Sequence, residues 1–226
     1  MTRRTAVPGN RAMQVFLSPR WLAVRFDRPH HALSSAIVGG GRRKVHDVVW
    51  HEVRNDELTP SIDPAKLLRK RLAGFGRSSA VGLLTSSNIE GYVVAERRRD
   101  GVSAQVVATV GLGNALRVGD PPGVRGRVGT INILCRVSRP LTEEAQLEAL
   151  SIVAEARTLA VLESSVRSRR SGRPSTGTGT DCIVVVCPAG PRPAPYAGKH
   201  TAVGHVIGAA VLQALRRGLA AWKAKP

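Results

Sequence analysis

The sequence predicts a single α+β domain, in which helices pack on a mixed or largely antiparallel β-sheet. Three observations lead there. Hydrophobic residues make up 42% of 226 positions but aromatics only 4%, so the chain can bury one sizeable core of aliphatic side chains. Short runs rich in Val, Ile and Leu recur between Gly, Pro and Asp-Gly turn signals, as strands do. Helical patterns occur without steady β-α-β alternation, which argues against a standard Rossmann fold. The expected boundaries are a disordered basic tail over 1–12, one domain over 13–220 and a short tail over 221–226.

Taken in order, residues 13–18 and 21–26 read as a hairpin across Ser18-Pro19-Arg20, and residues 33–38 as a third strand ending in Gly39-Gly40-Gly41. Residues 45–53 suit a fourth strand, on which His46 and His51 fall on opposite faces. Asp63-Pro64 opens a helix through Leu72, since Asp caps well and Pro is tolerated at the first helical position. A short buried strand at 81–85 follows. Residues 92–96 and 102–110 form a second hairpin with Asp100-Gly101 at its turn. Residues 129–135 read as a strand carrying Asn132 inside an apolar run. Thr142 caps the clearest helix, with Glu143 and Glu144 at the positive end of its dipole. Its expected core stripe is Leu147, Leu150, Ala154, Val161 and Leu162. A last helix from Thr201 to about Leu219 buries Val203, Ile207, Val211 and Leu215.

The formal charge of +18 favours polyanions in general. However, Arg97, Arg98 and Arg99, the arginines at 167, 169 and 170, and Arg216 with Arg217 stand at the ends of elements. They lack interleaved aromatics for base stacking. A solvated arginine surface is therefore expected, with no specific nucleic-acid partner. No run approaches a membrane span, so no membrane partner is expected. Cys135, Cys182 and Cys187 are odd in number and sit in apolar runs, as buried free thiols in a reducing compartment do. The expected location is the cytoplasm. The histidines are scattered, without metalloprotease spacing, so no metal is expected.

Chemistry-bearing residues concentrate between Thr176 and Gly208. T-G-T-G-T-D leads into a strand, and Y-A-G-K-H-T-A-V-G-H leads into the last helix. Glycine turns thus deliver Asp181, and then Lys199 and His200, to the ends of regular elements. Upstream, G-L-G-N-A-L-R-V-G-D places Asn114 between glycines. That pattern suits either a plain turn or an amide presented at close range. Asn132 is either structural glue or a hydrogen-bonder facing a substrate.

Four blocks in this order resemble the adenosylcobinamide amidohydrolase family. They are A-T-V-G-L-G-N-A-L-R-V-G-D, G-T-I-N-I-L, T-G-T-G-T-D and Y-A-G-K-H-T-A-V-G; the earlier L-S-S-A-I-V-G-G-G fits more loosely. The resemblance implies an amidohydrolase of cobalamin salvage. Such an enzyme cleaves the amide joining aminopropanol to the corrin ring, giving adenosylcobyric acid. The corrinoid and its cobalt are then substrate, and no cofactor is implied. The family pattern commonly carries an acid where this chain has His205.

Under that reading His200 is the expected base and later acid. Asp181 orients it, Lys199 stabilises developing negative charge, and the nucleophile is water or a hydroxyl from Thr180, Thr178 or Ser35. Asn114 and Asn132 are expected to meet the substrate, together with Ser35, Gly40, Thr178 and Tyr196. A corrinoid-binding protein without hydrolytic activity and a basic nucleic-acid-associated protein are the rival readings.

Overall fold

The computed structural model describes residues 3–5, 12–59, 61–123 and 129–224. A nine-stranded sheet folds over on itself, and helices cover its two outer faces. The α+β expectation holds.

The first leaf starts with the predicted hairpin. Strand β2 (Met13–Ser18) pairs antiparallel with β3 (Trp21–Ser34), and Arg20 takes a positive φ in the turn. The expected strand over 33–38 is not separate. Strand β3 runs on to Ser34, with a register shift between Arg25 and His30. Pro29, which cannot donate to a ladder, falls in this irregularity. On one side β3 keeps β4 (Gly41–Glu52) along its length; on the other it exchanges β2 for β11 (Cys182–Pro188). This exchange joins the two leaves. Strand β1 (Arg3–Thr5) pairs with β2, so these three residues are strand and not disordered tail; residues 1–2 and 6–11 lie outside the described residues.

Helix α1 (Pro64–Gly74) carries the chain from β4 to β5 (Val81–Thr85), which lies parallel to β4. Asp63 caps it by accepting from the Ala65 and Lys66 amides at 2.8 and 3.1 Å. Leu68 and Leu72 are fully buried and cover the outer face of this leaf against Ala23 and Val49.

The second leaf comprises β6 (Val93–Arg99), β7 (Val102–Val110), β9 (Ile131–Val137) and β11. Asp100 and Gly101 both have positive φ, as the tight turn between β6 and β7 requires. Strands β9 and β11 are parallel, and α2 (Glu143–Glu163) is their crossover. Helix α3 (Ala202–Lys223) follows β11 and packs beside α2 on the same face. It runs to Lys223, so the expected tail from 221 is helix; residues 225–226 lie outside the described residues. Two two-residue strands, β8 (Ala115–Leu116) and β10 (Gly177–Thr178), pair with each other apart from the main sheet.

Of the expected α2 stripe, Val161 is buried and Leu150 and Ala154 pack partly buried on the core, but the two ends differ. Leu147 and Leu162 are exposed, while Ala145, Ala149, Ile152, Val153, Ala156 and Ala160 are buried. Small residues let α2 lie close to β11, and the larger leucines turn outward. The α3 stripe of Val203, Ile207, Val211 and Leu215 is buried as predicted. Strand β6 ends the sheet path, and its Arg97, Arg98 and Arg99 are exposed. Arginines there oppose edge-to-edge pairing with another chain, which accounts for part of the charge.

A polar group lies buried between the leaves. Arg136 donates to His30 Nε2 at 3.1 Å and to Gln105 Oε1 at 3.2 Å. The Arg28 carbonyl can only accept, so the 2.9 Å contact at His30 Nδ1 fixes the proton there and leaves Nε2 to receive from Arg136. Burial lowers the His30 pKa to about 4, and the Arg136 charge pushes the same way. Burial likewise lowers His51, stacked on Trp21, to about 4. Both imidazoles are neutral in the folded chain and bind protons below about pH 6.5 when unfolded. Stability is therefore full above that value and is lost as pH falls towards 4. Thermal melts from pH 7 to 4.5 are expected to show this decline, and His30→Gln to flatten the slope while lowering stability throughout. An unchanged slope contradicts the assignment.

Candidate functional site

A cleft opens between the leaves where β5 ends and β9 and β11 begin. The space inside it and at its open mouth together is about 690 Å³. One wall is apolar, formed by Ile37, Val53, Leu58 and Leu84. The other presents Asn114, Thr130 and Thr180, with Thr85 and Cys182 deeper.

Strand alternation decides which residues reach it. Cys182 and Val184 belong to the core between the leaves, while Ile183 and Val185 belong to the core under the helices. Thr180, in the turn just before β11, lines the cleft with Cys182, while the side chain of Asp181 between them meets α2. The Thr180 hydroxyl has one long contact, 3.4 Å to the Gly129 carbonyl, and its own carbonyl accepts from Thr130 Oγ1 at 2.8 Å.

Asp181 is held on several sides. It accepts from the Ile131 amide at 2.9 Å, from the Thr178 amide at 2.9 Å and from the Thr178 hydroxyl. It also pairs with Arg157 of α2 at 3.1 Å, and its side chain is only 4% exposed. The carboxylate thus ties the T-G-T-G-T-D turn to β9 and α2. The glycines here provide space, not unusual dihedrals. A Cβ on Gly177 would collide with Asp181 Oδ2, and one on Gly179 would stand 2.9 Å from Asn114 Nδ2. A Cβ on Gly129 would stand 2.6 Å from the Gly113 nitrogen and 3.0 Å from that of Asn114. Three loops therefore meet with almost no side-chain volume between them, and the Asn114 carboxamide is placed against Gly179 at the cleft.

Asn132 takes the structural alternative. It is fully buried, and its Nδ2 donates to the Leu84 carbonyl of β5 at 2.7 Å. It links the leaves below the cleft floor. Ser35 prolongs the pairing of β3 with β11: its amide donates to Ile183 O at 3.0 Å and its hydroxyl accepts from the Ile183 amide at 3.1 Å. Gly40 closes a turn back on Ala36. Neither lines the cleft, although Ile37 between them does.

The expected pairing of His200 with Asp181 does not form. Thr201 caps α3, accepting from the Gly204 amide at 3.0 Å. But α3 lies on the outer face of the second leaf, and the sheet stands between it and the cleft. Its turn at Gly218 packs on Val110, which pairs with Ile131; the helix then carries His200 roughly 25 Å from that turn along its axis. His200 and Tyr196 are exposed there, and Lys199 pairs with Glu155 at 2.5 Å. His205 is exposed on the same end of α3, away from the cleft.

The sequence reading missed Thr85, Thr130, Cys182 and the apolar wall. For Cys182 the alternation with Ile183 along β11 was the available signal. Burial pushes the Cys182 thiol up to about 11, with the Asp181 charge adding to the effect, so it is a neutral thiol. Among the described residues no cluster of His, Cys, Asp or Glu has the arrangement of a metal site, and no helix is long and apolar enough to cross a membrane.

The family model described as adenosylcobinamide amidohydrolase matches residues 5–226. A Methanosarcina mazei protein of that name is 30% identical over 217 residues, covering 92% of this chain and 98% of its own length. A Halobacterium salinarum protein of the same name is 35% identical over 121 residues, half of this chain and 49% of its own. Among solved structures, a β-aminopeptidase from a Burkholderia species aligns over 98% of this chain and 83% of its own, at 11% identity and a TM-score of 0.44. On the family match and the full-length methanogen relative together, the chain belongs to the adenosylcobinamide amidohydrolase family.

Proposed function

We propose that the chain hydrolyses the aminopropanol amide of adenosylcobinamide in the cleft between the leaves, releasing adenosylcobyric acid for cobalamin salvage. One observation carries the placement. Four of the five sequence blocks that resemble the family converge on this cleft, through Ile37, Asn114, Gly129 with Thr130, and Thr180. The fifth, which contains His200, lies across the sheet.

The apolar wall suits the hydrocarbon part of a corrin side arm, and the polar wall meets its amide. Thr180 Oγ adds to the amide carbon, and the Asn114 carboxamide donates to the oxygen as it gains negative charge. The hydroxyl proton passes to the nitrogen of aminopropanol, which leaves as the carbon–nitrogen bond breaks. Water then hydrolyses the resulting ester and restores the hydroxyl. Asp181 is a positioning residue in this scheme, since it fixes the turn that presents Thr180, and Arg157 balances its charge. The cobalt travels with the substrate, and the protein needs no resident cofactor. Three free, buried cysteines fit a cytoplasmic enzyme. We assign no nucleic-acid partner.

Incubation with adenosylcobinamide, followed by chromatography of aminopropanol and adenosylcobyric acid, tests the scheme. Thr180→Ala is expected to abolish turnover, and Asn114→Ala to lower kcat by roughly 10²-fold or more, both with wild-type melting curves. His200→Ala is expected to retain near-normal turnover. Loss of turnover in His200→Ala with normal turnover in Thr180→Ala would move the site to the α3 end.

Asn132→Ala separates structure from chemistry. It leaves the Leu84 carbonyl without its buried donor, so denaturant unfolding is expected to show a loss of about 1–3 kcal/mol. Unchanged stability with impaired substrate binding would return Asn132 to the site.

A further inference from the structure

We infer that the chain cuts itself between Gly179 and Thr180, so that Thr180 becomes a new N-terminus whose α-amine serves its own hydroxyl as base. This inference rests on the reading of Thr180 as nucleophile. A threonine hydroxyl is a weak nucleophile until a base takes its proton, and a terminal amine on the same residue is one known solution. The described cleft lining offers hydroxyls, a carboxamide and a neutral thiol, with no imidazole, amine or carboxylate. Four carboxylates adjoining the lining are engaged elsewhere. Glu52 accepts from the Ile89 amide, Glu57 from the Arg54 amide, Arg20 and Arg71, and Asp63 from its helix cap. Asp181 faces Arg157.

The surroundings of Thr180 suit the cut. Gly179 and Thr180 are exposed in a turn before β11, and Asn114 Nδ2 lies against Gly179. The Thr180 amide nitrogen already contacts Thr178 Oγ1 at 3.4 Å, a partner for the amine that the cut would free. Thr180 Oγ adds to the Gly179 carbonyl carbon, the Gly179–Thr180 carbon–nitrogen bond breaks, and the hydroxyl proton moves to the departing nitrogen. Water then hydrolyses the ester, leaving a carboxylate on Gly179 and a free hydroxyl and amine on Thr180. No other reactant is required. The pieces stay together, because β11 pairs with both β3 and β9 and α3 is buried against β7.

Intact-mass spectrometry of the purified full chain under denaturing conditions tests the inference. Two polypeptides are expected, residues 1–179 and 180–226, summing to the uncut chain plus one water and co-eluting as one native species. Thr180→Ala is expected to remain whole and Thr180→Ser to cut. Selective modification of the new terminal amine is expected to remove turnover of adenosylcobinamide. A chain that remains whole while it turns over adenosylcobinamide overturns self-cleavage and leaves the proposed function standing. A chain that cuts but releases no aminopropanol supports self-cleavage and defeats the proposed function.

Discussion

The carboxylate of Asp181 is the constraint on which the cleft depends. It gathers an amide of β9, an amide and a hydroxyl of the preceding turn, and a guanidinium of α2. A buried acceptor with so many donors sets the relative position of three elements. Removing it would leave Arg157 partly buried without its counter-charge, a loss on the order of 3–5 kcal/mol for a buried pair. Because Asp181 is fixed on the helix side, the residues before and after it are fixed on the cleft side. The placement of Thr180 at the cleft follows from the anchoring of its neighbour.

The second condition is the absence of side-chain volume where the loops meet. Gly129, Gly177 and Gly179 have no positive φ; each is a glycine because another group occupies the place of its Cβ. That close approach sets Asn114 beside Thr180. Asn132 supports the arrangement from below, by joining β9 to β5 through one buried hydrogen bond. The three glycine-rich blocks are one structure, although they are separated along the chain.

Most of the fold was legible in the sequence. Caps at Asp63 and Thr142, the apolar stripe after Thr201, the Asp100-Gly101 turn and the apolar runs placed all three helices and most strands. The continuity of β3 was not legible, because Pro29 and its charged neighbours read as a break where the strand only changes partner. Nor was the folding of one sheet into two leaves, which is a long-range pairing. Within the α2 stripe Leu147 and Leu162 were placed on the wrong face, because close helix–sheet contact selected alanines over these leucines. At the site, four of the quoted blocks meet at one cleft, while the pairing of Asp181 with His200 expected from the sequence does not form. Asp181 and His200 are an acid and a base near each other in sequence, but Arg157 and the preceding turn hold the first at the start of β11, while the second is exposed at the far end of the same helical face, where α3 begins.

Hydrogen–deuterium exchange with and without adenosylcobyric acid, the stable product, tests most directly whether corrinoid occupies the cleft between the leaves. Bound product is predicted to slow exchange over residues 84–87, 112–116, 129–132 and 178–182, and to leave 196–203 unchanged. Protection confined to 196–203 would contradict the account.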